Sequence, residues 1–471
     1  MKLKLYSKGA AQEVTGSRHY LEIGNKTLQI DCGAFQGKRK ESEEKNRAVA
    51  ADIKNVDAVI LTHAHFDHCG MLPLLPKNGY RENIYATPAT RDLASLIMMD
   101  SAHIQARDIE FISKKARKKN EAFSAEPLYT EEDVITAQNQ FVTLSYNRQL
   151  NILPEVELKF YDAGHILGSA IAYLTVTGSD GRMSEIAFSG DLGRKNKAII
   201  KDPEIIPNPD YLVLESTYGN RLHEGFEEAL EKLKNVVNAT AKRNGKVIIP
   251  AFAVERTQEL VYYLHLLTDK KEIPEIPIYV DSPMATNATA IFRVHQECYD
   301  KETNDAFIQH HENPFGFNAL KYTSSVAESK SLNEIKGPAI IISADGMCEN
   351  GRIRHHLVRH IDNPANTILI VGYMASHTLG RRILERQKEV RIFGEWKKLR
   401  AHVETINAFS AHADYSEIRE YVAQLDLGKL KKIFLVHGEP DAQKNLQKVL
   451  LEIGVKDVEI VKYGETYTLS T

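Results

Sequence analysis

The sequence is poor in cysteine and has no long apolar run. Its four cysteines, Cys32, Cys69, Cys298 and Cys348, are widely separated and form no CxxC motif. This pattern excludes a disulfide framework and is typical of free thiols in a reducing compartment. No stretch reaches the roughly 18 consecutive apolar residues of a membrane span, and the first residues contain no apolar core of an export signal. We therefore expect a cytoplasmic protein with no membrane partner.

Neither the composition nor the charge indicates a specialised class of protein. The 471 residues are 43% hydrophobic and 26% charged, as in ordinary globular proteins. The formal net charge of −3 excludes a chain that is basic throughout. Any contact with nucleic acid must therefore come from a local basic surface. The length predicts about two or three domains.

Four potential metal ligands lie within one short stretch. His63, His65, Asp67 and His68 follow an apolar, β-branched segment at 56–61 that predicts a buried strand, so they fall on the loop at its end. In an extended chain, the side chains of His63 and His65 point to the same side. Histidine and aspartate without cysteine favour a catalytic metal site, which keeps open positions for water. The alternative, a solvated histidine-rich loop, gives no reason for this clustering.

Three further predicted strands end in residues of the same chemical type. Asp31 follows the strand at 27–30, His165 follows the strand at 158–161, and Asp191 follows the strand at 186–189. Asp31 is a candidate to orient a ligand imidazole, with a turn-forming aspartate as the alternative. Asp191 is a candidate bridge between two ions, because a carboxylate has two oxygens. Gly164 and Gly190 are expected to let the backbone turn and to leave room for an ion.

Two more histidines lie near the end of the chain. His437 follows the apolar segment 432–436 and repeats the arrangement of strand, histidine and glycine, which predicts the last ligand of a second ion. His412 lacks that context and is a candidate acid rather than a ligand. Asp414 and Glu417 predict a capping box for the following helix.

Between residues 208 and 395, strands alternate with helices, which predicts a parallel sheet in an inserted α/β domain. The predicted strands are 211–215, 246–250, 278–281, 339–343 and 367–371, and the predicted helices are 224–243, 254–267, 352–361 and 378–388. Ligands bind at the carboxyl ends of such strands, where helix N-termini and guanidinium groups attract anions. The groups predicted to form a phosphate-binding wall are Arg352, Thr378, Gly380 and Arg381. Each arginine alone is more simply a surface ion pair.

Together, these residues resemble the metallo-β-lactamase superfamily. The resemblance rests on Asp31, the HxHxDH signature at 63–68, His165 and Asp191. Further motifs resemble the β-CASP nucleases within that superfamily: LESTYG at 214–219 (motif A), SAHAD at 410–414 (motif B), LVHGE at 435–439 (motif C), and PAFAVERTQE at 250–259. The resemblance spans nearly the whole chain.

The resemblance implies an α/β fold, with a metallo-β-lactamase αββα sandwich and an inserted β-CASP α/β domain. The first part of the metallo-β-lactamase domain would cover residues 1–207, the β-CASP domain 208–395, and the C-terminal part of the metallo-β-lactamase domain, with its RNA-specificity segment, 396–471. In the family, the cleft lies between the two domains, so single-stranded nucleic acid would thread into it.

The resemblance also implies two zinc ions per chain and a role for each site residue. The ligands would be His63, His65 and His165 for one ion and Asp67, His68 and His437 for the other, with Asp191 as the bridge. A hydroxide shared by the ions would attack the phosphorus. Glu215 would orient His412, which in its protonated form would donate a proton to the departing 3′ oxygen. Asp67 and Asp31 complete the predicted catalytic set.

The implied function is zinc-dependent hydrolysis of single-stranded RNA in RNA processing or decay, leaving 5′-phosphate and 3′-hydroxyl ends. A histidine at motif C, here His437, is the pattern of the RNA-cutting members. Endonucleolytic cleavage is favoured over 5′-exonucleolytic cleavage. Arg256 joins the predicted phosphate contacts, and a homodimer is expected because relatives are often dimers.

Two other classes of protein are weighed against a nuclease. A small-molecule ester or thioester metallo-hydrolase shares the HxHxDH signature, but it gives no reason for the insertion at 208–395 or for His412. A non-catalytic RNA-binding scaffold would be expected to have lost ligands, whereas every ligand position is filled here.

Overall fold

A computed structural model describes residues 2–119, 126–178, 180–309, 313–372, 374–375 and 377–470. The strands in these residues are β1 Leu3–Ser7, β2 His19–Ile23, β3 Lys26–Ile30, β4 Ala58–Ile60, β5 Ile84–Ala86, β6 Phe141–Thr143, β7 Gln149–Leu153, β8 Val156–Asp162, β9 Ala170–Thr177, β10 Met183–Phe188, β11 Tyr211–Glu215, β12 Lys246–Pro250, β13 Ile278–Asp281, β14 Leu320–Thr323, β15 Ala339–Ser343, β16 Thr367–Ile370, β17 Glu389–Ile392, β18 Glu395–Lys398, β19 His402–Thr405, β20 Lys432–Val436, β21 Val458–Ile460 and β22 Thr466–Leu469.

The α-helices in the same residues are α1 Arg39–Ala48, α2 Phe66–Cys69, α3 Leu74–Lys77, α4 Pro88–Lys118, α5 Glu131–Gln138, α6 Phe226–Lys242, α7 Arg256–Asp269, α8 Pro283–Val294, α9 Lys301–Gln309, α10 Val326–Ser331, α11 Ile353–His360, α12 Leu379–Leu384, α13 Tyr415–Val422 and α14 Pro440–Glu452. Across the described part of the chain, no helix combines the length and the apolar character needed to cross a lipid bilayer.

The chain divides into two compact units. The first comprises Met1–Lys195, Asp202–Leu222 and His412–Thr471, and the second comprises Asn196–Lys201 and His223–Ala411. The domain boundaries predicted at 207/208 and 395/396 remain proposals.

In the first unit, two seven-stranded sheets enclose an apolar core. Their strand orders are β22-β1-β2-β3-β4-β5-β6 and β21-β20-β11-β10-β9-β8-β7. Leu21 and Ile30 of one sheet are buried with Leu174 and Phe434 of the other, which removes apolar surface from water and stabilises the pair of sheets. The second sheet also packs against α13 and α14. The predicted α/β sandwich is confirmed.

The strand directions bring the predicted ligand loops together. β8 and β10 both run antiparallel to β9, while β11 and β20 run parallel to β10. The carboxyl ends of β8, β10, β11 and β20 therefore lie at one edge of their sheet. In the other sheet, β3 and β4 are parallel, so Asp31 and the loop at 62–65 leave from neighbouring strand ends.

The second unit contains a parallel sheet, as predicted, but one of the five strands predicted for it, β11 at 211–215, pairs instead with β10 and β20 in the first unit. The six strands of the parallel sheet have the order β14-β13-β15-β12-β16-β19, and all are parallel. β12 and β15 are almost wholly buried and read as continuous apolar runs, as parallel strands covered on both faces do. The strands β17 and β18 form a separate antiparallel hairpin.

Two features of the second unit differ from the sequence expectations. The elements α8, α9, α10 and β14, between 282 and 338, were not anticipated, although Ser282 before Pro283 is a typical helix start, and the Ser282 side chain accepts from the N–H of Ala285. The sequence also predicts a strand over residues 403–408, directly before motif B. It ends at Thr405 and pairs with β16 as an edge of the parallel sheet.

Candidate metal centre

Three imidazoles converge at the ends of β4 and β8. His65 Nδ1 lies 3.2 Å from His63 Nε2 and 3.1 Å from His165 Nε2. Burial lowers the pKa of all three rings, that of His65 to about 3, so the rings are neutral and can face one another with lone pairs. Nitrogens bound about 2.1 Å from one tetrahedral ion would be roughly 3.4 Å apart. The spacing fits a shared cation.

A second group joins the short helix α2 to the end of β20. His437 Nε2 lies 3.2 Å from His68 Nε2 and 3.6 Å from Asp67 Oδ2. Burial opposes protonation of His68, but the carboxylates of Asp191 and Asp31 outweigh it and raise its pKa well above the usual value. Burial would raise the pKa of Asp67, but the histidines around it lower that pKa. This group therefore carries a carboxylate and a histidine that holds a proton.

Asp191, after β10, faces both groups. Its Oδ2 lies 3.3 Å from His63 Nε2 and 3.5 Å from His165 Nε2, while its Oδ1 lies 3.4 Å from His68 Nε2. Oδ1 is buried and accepts no hydrogen bond from the residues that the structure describes. A buried carboxylate oxygen without a donor is costly unless a cation compensates it. The donor set fits two divalent ions with Asp191 between them.

Asp31 contacts the candidate ligand His68 and has an unusual backbone conformation. Asp31 has a φ of 63°, a left-handed conformation that persists only where surrounding contacts enforce it. Its carboxylate accepts hydrogen bonds from the N–H of Thr62 at 2.8 Å and the Thr62 hydroxyl at 3.0 Å, and it lies 2.7 Å from His68 Nδ1. The contact with His68 is one that an orienting role for Asp31 requires, and that role stays a prediction.

The glycines of the site serve protein packing rather than an ion. Gly164 and Gly190 have φ values of 62° and 54°, so the expected backbone turn is confirmed. However, a Cβ on Gly190 would lie 2.8 Å from Thr62, and one on Gly164 would lie 2.6 Å from Pro203. The expectation that these glycines leave room for an ion was wrong, because side chains of the protein occupy that space.

His412 and Glu215 form a pair beside the metal ligands. Glu215 is buried at the end of β11, and its Oε1 lies 3.0 Å from His412 Nδ1. Glu215 is itself held by the N–H groups of Leu192 at 2.8 Å and Thr217 at 3.1 Å. Burial lowers the pKa of His412, but Glu215 and Asp191 outweigh it and raise that pKa to about 9. The ring is therefore protonated at neutral pH in the ion-free protein, and bound cations would oppose the shift.

Polar residues that the sequence analysis did not identify support the ligands. Ser17 Oγ lies 3.5 Å from Asp31 Oδ2 and 3.1 Å from His19 Nε2, and Ser7 Oγ lies 2.7 Å from His19 Nδ1. Burial lowers the pKa of His19 to about 3, so this ring is neutral. Thr217 Oγ1 lies 3.0 Å from His437 Nδ1. In the sequence, the one signal for these residues is that they lie at or next to the ends of strands. Their spacing is not that of metal ligands. The capping box of Asp414 and Glu417 is confirmed.

The predicted phosphate contacts lie in the second unit and already have partners within it. Arg256 is buried and pairs with Glu259. Arg352 Nη1 lies 2.7 Å from Asp281 Oδ1, and its Nη2 donates to the carbonyl of Ser324.

At the start of α12, the remaining predicted contacts are also engaged. The Thr378 hydroxyl accepts from the Arg381 N–H at 3.1 Å, and the Arg381 side chain pairs with Glu385 at 2.7 Å. The Gly380 N–H donates to the Met347 carbonyl at 3.1 Å. A role for these residues in binding phosphate stays a prediction.

Three family descriptions match successive parts of the chain. They are the metallo-beta-lactamase superfamily domain over 20–183, the Beta-Casp domain over 257–383, and the Zn-dependent metallo-hydrolase RNA specificity domain over 396–461. With the two-sheet fold and the strand-end ligands, these matches define a protein of the metallo-β-lactamase superfamily, whose fold implies a divalent metal.

Two similar proteins indicate the family to which the chain belongs within this superfamily. Ribonuclease TTHA0252 of Thermus thermophilus is 36% identical over 98% of this chain and 99% of its own length. Transcription termination factor FttA of Methanosarcina mazei is 31% identical over 93% of this chain and 67% of its own length. The chain belongs to the β-CASP family. A solved structure of a protein of unknown function from Enterococcus faecalis V583 has the same fold over both full chains, with a TM-score of 0.57 and 13% identity.

Proposed function

We propose that this protein is a zinc-dependent endoribonuclease that hydrolyses phosphodiester bonds of single-stranded RNA in the cytoplasm, leaving 5′-phosphate and 3′-hydroxyl ends. The observation that carries the proposal is the His412–Glu215 pair, 3.0 Å apart beside two convergent groups of metal ligands. The pair supplies a positioned acid for a departing oxygen. RNA as the substrate is supported by the match to an RNA specificity domain and by the 36% identity to a ribonuclease.

Two zinc ions fit the ligand chemistry, one at His63, His65 and His165 and one at Asp67, His68 and His437, with Asp191 shared. When bound, they would supply positive charge against the phosphoryl oxygens and lower the pKa of a water. Asp31 would keep His68 oriented through its Nδ1.

His412 is proposed as the general acid of the reaction. Glu215 binds His412 Nδ1, so Nε2 is the nitrogen that would donate to the departing 3′ oxygen. Two backbone N–H groups hold the Glu215 side chain in place, and its position beside His412 favours the protonated form of His412. A fixed acid of this kind typically contributes about 10²–10⁴-fold to the rate.

Among the predicted phosphate contacts, Arg381 is the most readily available. Its side chain is 42% exposed, and its partner Glu385 is 45% exposed. Exposed ion pairs contribute only about 0–1 kcal/mol, so a phosphate could replace Glu385 at little cost. We propose Arg381 as a phosphate contact of the RNA.

The test uses a circular single-stranded RNA, which has no ends for an exonuclease. Zinc-loaded protein should convert the circle to a linear product and then to fragments with 5′-phosphate and 3′-hydroxyl ends. His412→Ala should slow cleavage about a thousandfold, and a substrate with a sulfur leaving group should recover most of that loss, because sulfur needs no proton to leave. Asp67→Ala should show no such recovery.

His103→Ala is a matched control, since it removes an exposed histidine of α4. If a linear RNA is digested while the circular RNA stays intact, the protein is an exonuclease and the proposal of an endonuclease is overturned. Zinc-loaded protein that cleaves neither RNA, yet hydrolyses a thioester, would overturn the proposal in favour of a small-ester hydrolase.

A further inference from the structure

The hairpin β17–β18 presents an aromatic and basic surface in the second unit. We call Arg391, Phe393, Trp396 and Lys398 the hairpin platform. Trp396 is 67% exposed and Phe393 is 48% exposed. Trp396 is the one tryptophan among the 471 residues of the sequence. Single exposed apolar residues are ordinary, but two aromatic rings on one short hairpin beside basic side chains require an explanation.

The hairpin register places Arg391 and Trp396 on the same face. Arg391 is directly opposite Trp396, and Ile392 is opposite Glu395. Val390 and Ile392 point to the other face, where they are buried in the core of the second unit. The buried side chains fix the hairpin, and the Arg391 Nε donates to the Gly394 carbonyl at 3.0 Å. Arg391 and Trp396 are therefore presented to solvent on a rigid support.

Helix α11 adds a cation and a ring next to Phe393. The Arg354 guanidinium carbon lies 4.2 Å from the centre of the Phe393 ring. The His355 ring centre lies 4.6 Å from the same ring. Cations over aromatic rings are attracted by the ring quadrupole. Phe393 is thus held in place, and half of its surface stays accessible.

The surroundings of the platform are strongly basic although the chain as a whole is slightly acidic. Residues 386–400 contain six lysines and arginines and two glutamates. Within the part of the chain that the structure describes, neither Arg391 nor Lys398 forms an ion pair, although Glu389 is directly opposite Lys398 in the hairpin register. These two cations are available to an anionic ligand.

We propose that the hairpin platform is an accessory binding site for single-stranded RNA, with bases stacked on Trp396 and Phe393 and phosphates bound by Arg391 and Lys398. Aromatic rings with a basic track are what unpaired nucleic acid binds, because every base has a face that stacks. A second copy of the chain is a poor occupant, since it would bring one basic surface against another. The inference rests on RNA being the substrate, as proposed above, but the platform itself contains no metal ligand.

The single tryptophan gives a direct test. Protein treated with a chelator, so that RNA stays intact, is titrated with a single-stranded oligouridylate of about 20 nucleotides. Stacking on Trp396 should quench the emission to a saturating level, and a double-stranded RNA of equal length should not, since its bases are already stacked. Trp396→Ala should weaken binding of labelled RNA about tenfold. Arg391→Gln should reduce the salt slope of RNA binding by about one, because one phosphate contact is lost.

Two variants elsewhere serve as matched controls. Tyr463→Ala removes an aromatic ring of similar exposure, and Lys448→Gln removes an exposed charge, both in the first unit. Unchanged emission while labelled RNA is bound would overturn the platform, as would equal weakening by the control variants. Trp396-dependent self-association without quenching would also overturn it, in favour of a dimer contact.

The failures of the two proposals are distinguishable. Quenching without cleavage of circular RNA by zinc-loaded protein would support the platform and overturn the ribonuclease. Cleavage without quenching would overturn the platform alone.

Discussion

Strand ends carry charged and polar groups in both units of the molecule, but the groups face each other in different ways. In the first unit, like groups converge: His65 Nδ1 lies 3.2 Å from His63 Nε2 and 3.1 Å from His165 Nε2. In the second unit, Asp281 at the end of β13 meets only donors. Its carboxylate oxygens lie 2.6 Å from both the Thr323 hydroxyl and His356 Nε2.

The difference separates a ligand site from a structural network. Lone pairs that face lone pairs destabilise a folded protein until a cation lies between them. A carboxylate surrounded by donors is already satisfied and holds its neighbours in place. Asp281 also accepts from Ser329 and Arg352. We infer that the first arrangement exists for a bound ion and the second for the fold.

Removal of one metal ligand should greatly reduce RNA cleavage and should hardly change the stability of the ion-free protein. His65→Ala should reduce RNA cleavage more than about a hundredfold, since even groups that only support ligands cost 10–100-fold. The unfolding free energy of the ion-free protein should change by less than about 1 kcal/mol, because His65 is only partly buried and its loss relieves facing lone pairs. Thermal unfolding with and without zinc measures both effects.

The wild-type protein is the control for this experiment. Its unfolding temperature should fall on chelation, since an ion that binds only the folded state stabilises it. A His65→Ala variant that still responds to zinc as the wild type does would contradict the assignment of His65 as a ligand.

Loss of Asp281 should have the opposite outcome. Asp281→Ala leaves the Arg352 guanidinium and His356 without their carboxylate, and breaking a buried pair in this way costs about 3–5 kcal/mol. Zinc content should stay unchanged, because the ligands are in the other unit. Unfolding in urea, with Glu389→Ala as a surface control, measures the stability, and loss of zinc would contradict the comparison.

Sequence reasoning recovered the first arrangement because its signals are local. The ligands lie within a few residues of the ends of apolar strands, and His63 and His65 are two residues apart. Asp281 also ends a predicted strand, but its partners Ser329 and His356 are 48 and 75 residues away. The sequence does not show whether a distant partner is a donor or another acceptor. The same limit hid Ser17, which contacts Asp31 from 14 residues away, and His19, which contacts Ser17.

The two ligand groups should differ in their response to pH. His68 has a raised pKa and holds a proton in the ion-free protein, whereas His63, His65 and His165 have lowered pKa values and are neutral. Because an ion must displace the His68 proton, affinity at that group should fall about tenfold for each pH unit below the raised pKa. The other group should keep its ion.

Zinc content measured at pH 6, 7 and 8 against a competing chelator tests this difference. We expect the content to fall from two ions towards one as the pH decreases. Asp31→Asn removes one of the carboxylates that raise the His68 pKa, so the pH dependence should weaken in that variant. Equal loss of both ions at every pH would contradict the asymmetry.

The smallest expected effect concerns Arg352 and Arg381, two of the three arginines predicted to bind phosphate. The partner of Arg352, Asp281, is wholly buried, so this arginine cannot change partner cheaply, whereas Arg381 and Glu385 are both exposed. Arg381→Gln should therefore raise KM for RNA about threefold and reduce the salt slope of binding by about one, with kcat unchanged. Lys448→Gln, which also removes one exposed charge, is the control. If the salt slope of RNA binding is the same for Arg381→Gln and for the control, Arg381 is a surface ion pair of α12 and does not bind phosphate. The phosphate contacts of the RNA would then lie away from the strand ends of the parallel sheet.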